Sequence, residues 1–232
     1  IAYGTQGIIW LTSFFTQFFH FSFLGTFFVY QIFGVIGLMA FYASLHQVTE
    51  NKSSNIKLLV NIIIFLPSIS FWSSAIGKDS LSFMSMGLAL WAALNLRRRL
   101  LLMLFAILVM LFVRPHMAGI MVLALAASIL FQRKLPVFQR IIIGAVVLVA
   151  GFLILPIALN YTGMNASSDG LINYIEERQE QNLQGGSSLD ISNMNLPMQL
   201  FSYLFRPLPI EAHSITALAA SLDNMILLLI FF

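Results

Sequence analysis

Polar and apolar residues segregate along this chain by whole segments rather than by single positions. Near-continuous apolar runs cover residues 21–45, 58–76, 80–96, 100–131 and 141–159, and another begins at 214. Short polar stretches separate them: "HQVTENKSSNIK", "GKD", the three consecutive arginines 97–99, and "QRKLPVFQR". Runs of about 15–25 apolar residues suit a hydrocarbon core about 30 Å thick. They also lack the polar outer face that a helix in water keeps. The pattern predicts an all-α, polytopic integral membrane protein with about seven membrane segments.

Residues 5–20, "TQGIIWLTSFFTQFFH", read differently. At helical spacing Thr5, Thr12, Ser13, Thr16, Gln17 and His20 fall largely on one face and Phe14, Phe15, Phe18 and Phe19 on the other. That is the pattern of a helix lying in the membrane interface.

The run 100–131 carries Arg114-Pro115-His116 at its middle. Proline breaks a helix and disfavours helical geometry at the residue before it. The two arms, 100–113 and 117–131, are each about 22 Å long, less than a full crossing. They are expected to form a short hairpin whose tip lies below the outer surface. Non-helical backbone at that depth has to be buried in protein or line a wet cavity, so Arg114 is expected on the floor of an outward-facing cavity.

Charge gives the expected orientation. Lys52, Lys57, Arg97, Arg98, Arg99, Arg133, Lys134 and Arg140 are eight of the 12 basic residues, and they lie in three loops. The positive-inside rule makes those loops cytoplasmic. The "GKD" loop, the Arg114 break and residues 160–213 then face the other side. The expected organisation is a membrane bundle over 1–159, a non-cytoplasmic loop over 160–213, and a final membrane segment over 214–232. In the loop, "SSDGLINYIEERQEQNLQGG" reads as a capped helix with a glycine stop, and "NLPMQLFSYLF" as an amphipathic one. The chain starts at Ile1 and ends inside an apolar run, so both ends read as cut from a longer polypeptide.

Composition narrows the chemistry. The chain is 59% hydrophobic and 9% charged, with 22 Phe, against about 25% charged in ordinary soluble domains. Its net charge of +3 follows from the basic loops. There is no basic stripe with interleaved stacking aromatics, so nucleic acid is not expected as a partner. Cysteine is absent, which excludes disulfides, thiolate metal sites and cysteine nucleophiles. His20, His46, His116 and His213 have no close ligand spacing and no H-E-x-x-H pattern. No G-x-S-x-G, Walker or dinucleotide motif occurs. No cofactor is predicted, and a divalent metal stays open.

Four polar elements are expected on the non-cytoplasmic side: Lys78-Asp79, Arg114 with His116, Glu176-Glu177-Arg178, and Arg206 with Glu211 and His213. Ionisable residues within membrane segments point to function by default. Each also has a structural reading. Arg114 can pair with helix-end carbonyls or with Asp79, and Asp79 or Ser80 can cap the next helix. Glu176-Glu177-Arg178 can be a solvated helix face. Asp223, near the start of the last apolar run, is as suited to capping or pairing as to chemistry.

Three segments, "PSISFWSSAIGKDSL", "VRPHMAG" and "LFRPLPIEAH", resemble stretches of bacterial inner-membrane proteins of surface-polysaccharide assembly. The resemblance is to O-antigen or exopolysaccharide polymerases and related lipid-sugar glycosyltransferases. It implies a multi-pass protein of the bacterial inner membrane with its 160–213 loop on the periplasmic side. It also implies an outward-facing site that moves a glycan from a polyprenyl-diphosphate carrier to an acceptor. In that reading Arg114 and Arg206 contact the diphosphate, Lys78 and His213 are further substrate contacts, and Asp79, His116 or Glu211 supplies the base, with Asp79 slightly preferred. The Asp-x-Asp pair of many lipid-sugar transferases is not found. The implied partners are a lipid-linked oligosaccharide, membrane lipids and other polysaccharide-assembly proteins. A fixed guanidinium suits a leaving diphosphate, because it makes two parallel charge-assisted hydrogen bonds. Two alternatives stay open: a transporter or flippase component for a lipid-linked glycan, and a noncatalytic membrane subunit. The lack of an internal repeat weighs against the transporter.

Overall fold

The structure, a computed structural model, describes residues 4–131, 137–162, 194–212 and 214–231. The regular elements among them are all helical, and the chain is all-α. In order they are α1 (Thr5–Phe18), α2 (Phe23–Thr49), α3 (Ser54–Ile64), α4 (Pro67–Ser74), α5 (Lys78–Ala93), α6 (Leu100–Val113), α7 (Pro115–Phe131), α8 (Val137–Thr162), α9 (Leu196–Phe205), a 3₁₀ turn (Pro209–Glu211) and α10 (Ile215–Phe231). Gln132, His213 and the helix expected over 168–184 lie outside the described residues.

Two stretches, Phe23–Thr49 and Ser54–Ser74, are long and apolar enough to cross a membrane. Among the described residues, shorter apolar helical stretches cover Leu100–Val113, Pro115–Ile129, Gly144–Ile154 and Ala217–Leu229. α2 is 27 residues long, without an Asp, Glu, Lys or Arg. It starts at Ser22, whose hydroxyl accepts the Gly25 N–H at 3.2 Å, a side-chain cap that satisfies one of the first-turn donors. The run expected as a single span over 58–76 is two helices. Phe65 closes α3 by donating its N–H to the Asn61 carbonyl at 3.1 Å. Pro67, with no N–H to give, opens α4.

The chain divides into two compact units: Ile1–Phe65 with Ile69–Gly163, and Leu66–Ser68 with Met164–Phe232. In the first unit α5 is central, packed on α2 and on α6, while α7 packs chiefly on α8. The α2–α5 crossing brings backbone against backbone. A Cβ on Gly87 would sit 2.4 Å from the Gly37 carbonyl oxygen, and one on Gly37 would sit 2.7 Å from the Met84 backbone. Only glycine fits at such a contact, the device by which apolar helices approach closely without a hydrophobic driving force between them. α6 runs antiparallel to α5: Ser85 donates its hydroxyl to the Ala106 carbonyl at 2.6 Å, and Asp79, earlier in α5, meets Arg114 just past the end of α6. Met103, Ala106, Met110 and Val113 of α6 are buried in the same core as Leu81, Met84 and Leu88 of α5.

α1 departs from a simple two-faced helix. Gly4, at a positive φ of 68°, donates its N–H to the Phe112 carbonyl at 2.8 Å. Gly7 and Ile8 are buried, and the Thr12 hydroxyl meets the fully buried Tyr30 hydroxyl at 2.7 Å. One of the expected polar-face residues therefore turns into the protein. Trp10, Phe14 and Phe18 remain outside as a stacked ladder, with ring centroids 5.9 and 5.2 Å apart.

In the second unit Asn195 caps α9, its side chain accepting the Met198 N–H at 3.1 Å. The helix then follows the span expected from "NLPMQLFSYLF". The 3₁₀ turn and α9 both pack on α10.

The α2–α5 crossing makes a quantitative prediction. Gly87→Ala forces a methyl into the Gly37 carbonyl and should destabilise the folded chain by about 1–3 kcal/mol, the usual cost of overpacking. Gly77→Ala adds a methyl where nothing lies within 4 Å and should be tolerated. Thermal melts of the two purified variants check this, and equal melting temperatures would mean that the crossing is loose.

Candidate functional site

Arg114 is the one residue between α6 and α7. Its backbone, at φ −143° and ψ 83°, is non-helical, the geometry proline imposes on its predecessor. Its N–H donates to the Met110 carbonyl at 2.7 Å and closes α6. Its carbonyl accepts the Met117 and Ala118 N–H groups at 3.0 and 3.1 Å and opens α7. Pro115, fully buried, occupies the first helical position, where a missing N–H costs nothing. The break is thus a one-residue joint with its backbone hydrogen bonds made.

The joint aims the guanidinium at α5. Nη2 of Arg114 donates to Oδ1 of Asp79, forming an ion pair whose side chains stay 34% and 44% exposed. Asp79 lies in the first turn of α5, where the helix dipole favours a carboxylate. α5 begins after Gly77 and has no side-chain cap. Of the alternatives open in the sequence, Asp79 takes the pairing with Arg114 rather than the cap. Lys78 opens α5 beside Asp79, and His116 is half-buried in the first turn of α7.

The second unit holds its own pair. Nε of Arg206 donates to Oε2 of Glu211 at 2.9 Å, and Nη2 donates to Oε1 of the same carboxylate. The Leu208 N–H also donates to Oε2, at 3.1 Å. Asn224 ties the turn to α10 by donating to the Pro207 carbonyl at 3.3 Å. The hydrogen bond to Glu211 holds the Arg206 pKa above its ordinary value. A group whose folded pKa is raised keeps its stabilising charge at all lower pH, so no ordinary buffer discharges this cation. Both oxygens of Glu211 are engaged, which makes it a poor acceptor for a substrate proton. This pair braces the turn Arg206–Glu211, and Asp79 is the better placed of the two carboxylates for chemistry.

Asp223 is buried, and its Oδ2 accepts the Ser68 N–H at 2.8 Å, a contact across 155 residues of sequence. That gives the Ser68 N–H, near the start of α4, a carboxylate acceptor, as an N-cap does from nearby. Nothing in the local sequence of either partner announces this pairing. Among the described residues no three His, Asp or Glu side chains gather as metal ligands would.

A family of unknown function (DUF6057) matches residues 6–222. No curated protein and no solved structure matches the chain.

The capping geometry of Asp223 can be tested by substitution. Asp223→Ala removes the acceptor and should cost about 0.5–2 kcal/mol, as the loss of an N-cap does. Asp223→Asn keeps an acceptor oxygen and should lose less. Thermal melts compare them, and equal losses would assign the effect to the charge instead of the hydrogen bond.

Proposed function

We propose that this chain, which belongs to DUF6057, is a multi-pass membrane glycan polymerase or glycosyltransferase that uses lipid-linked sugar at Arg114. The observation that supports the reading most is the half-exposed Arg114–Asp79 pair at a one-residue break between two apolar helices. An arginine kept only to neutralise a buried carboxylate would be desolvated and saturated. Here the Asp79 bond uses one of five guanidinium donors, and the side chain remains open to an anionic ligand.

The chemistry follows from that geometry. A diphosphate oxygen pair of the carrier binds the guanidinium through two parallel hydrogen bonds. Asp79 takes the proton of an acceptor hydroxyl as its oxygen attacks the anomeric carbon, and the bond from that carbon to the diphosphate breaks. The leaving diphosphate gains negative charge, which Arg114 and the neighbouring Lys78 stabilise electrostatically. In this reading the basic loops are cytoplasmic, about seven segments contact the membrane, and the Arg114 break faces outward.

Two measurements test the proposal. Arg114→Lys keeps the charge and loses the fork, so it should insert normally yet yield about tenfold to a hundredfold less long glycan in cell extracts. Wild-type glycan lengths in that variant would contradict it, and single repeat units trapped inside the cell would instead indicate a flippase. The chain has no cysteine of its own, so single cysteines report orientation. An impermeant thiol reagent should label a cysteine at Gly77 from outside and one at Ser53 only after permeabilisation. The reverse pattern would place Arg114 on the wrong side for carrier-linked glycans.

A further inference from the structure

The turn between α5 and α6 presents two arginines in a fixed way. Leu96 packs against the core on one side of them. On the other, Arg99 lies over the Trp91 ring, 4.1 Å from its centroid, and donates Nη1 to the Trp91 carbonyl at 2.7 Å. The Asn95 carbonyl accepts the N–H groups of Arg98 and Arg99, both at 3.1 Å, and closes the turn. Arg97 and Arg98, between these anchors, are exposed. Among the described residues no carboxylate forms a salt bridge with either. Directly beside them Leu94, Leu100 and Leu101 are exposed as well, Leu101 by 81%.

Two exposed guanidinium groups without a salt bridge among the described residues, beside a band of bare leucine and a tryptophan, have the layering of a membrane–water interface. We infer that Arg97 and Arg98 form a binding site for the phosphate of an anionic phospholipid in the adjoining leaflet. The apolar band decides for a lipid over free phosphate, because acyl chains cover the leucines while the headgroup takes the charge. Arg99, spent on Trp91, is a positioning residue that holds the other two outward. The inference rests on the membrane reading and not on glycan transfer.

Trp91 is a built-in reporter. In a Trp10→Phe, Trp72→Phe background, its fluorescence can be quenched by brominated lipids in reconstituted vesicles. Brominated phosphatidylglycerol should quench at a lower mole fraction than brominated phosphatidylcholine. Arg97→Gln with Arg98→Gln should weaken that preference by about thirtyfold, the combined effect of two cations at a lipid surface. Lys52→Gln with Lys57→Gln, in another basic loop, should leave it intact. Inorganic phosphate at constant ionic strength should not compete. Equal quenching by the two lipids, an unchanged preference in the arginine variant, or full competition by inorganic phosphate would each overturn the site. The melting temperature of the arginine variant in neutral lipid checks its fold, and Arg98→Gln alone gives a milder form of the same test.

Discussion

One interaction organises the first unit: the ion pair of Arg114 with Asp79. The proline after Arg114 ends one apolar helix and starts the next, which leaves a cation at the joint. A charge in so apolar a chain needs a partner or water. The antiparallel run of α5 against α6 brings the start of one helix beside the end of the other, where Asp79 supplies the partner. The helix break, the register of α5 on α6 and the position of the carboxylate therefore depend on each other.

The packing around that pair is of the kind apolar helices use when hydrophobic burial cannot distinguish neighbours. Gly37 against Gly87 joins α2 to α5 by backbone contact, and a serine hydroxyl on a carbonyl joins α5 to α6. Both contacts are short and directional, and they fix α5 between its neighbours. Outside them, large apolar side chains such as Leu108 and Phe152 face outward, 63% and 69% exposed. Water tolerates such surfaces poorly, and in the proposed membrane setting lipid would cover them.

Much of this was legible in the sequence, for reasons that can be named. Local chemistry dictated the joint at Arg114, because proline acts on its immediate neighbour. The cap at Asn195 and the helix after it also follow from adjacent residues. What could not be read were contacts set by distant parts of the chain. Asp223 meets Ser68 across 155 residues, and Thr12 turns from the polar face of α1 to meet Tyr30. The break before Pro67 was missed because hydropathy counts apolar side chains and ignores the missing N–H. For the candidate site, the residue types were visible at once, whereas the choice of partners was not. Asp79 was open to capping or pairing until α5 and α6 were set side by side, and Glu211 stood only slightly behind Asp79 as a candidate base until Arg206 and the Leu208 N–H occupied its oxygens.

The central claim is that Arg114 is held by Asp79 for a ligand and does more than neutralise it. The most direct measurement is the double variant Arg114→Ala with Asp79→Ala, compared with each single change for both melting temperature and long-glycan synthesis. Both side chains are part-exposed, so removing Arg114 alone should cost little stability, and removing both should leave it close to the parent's. The account predicts a double variant that is as stable as the parent and makes no long glycan. A double variant both stable and fully active would contradict it, and would leave the pair a purely structural contact.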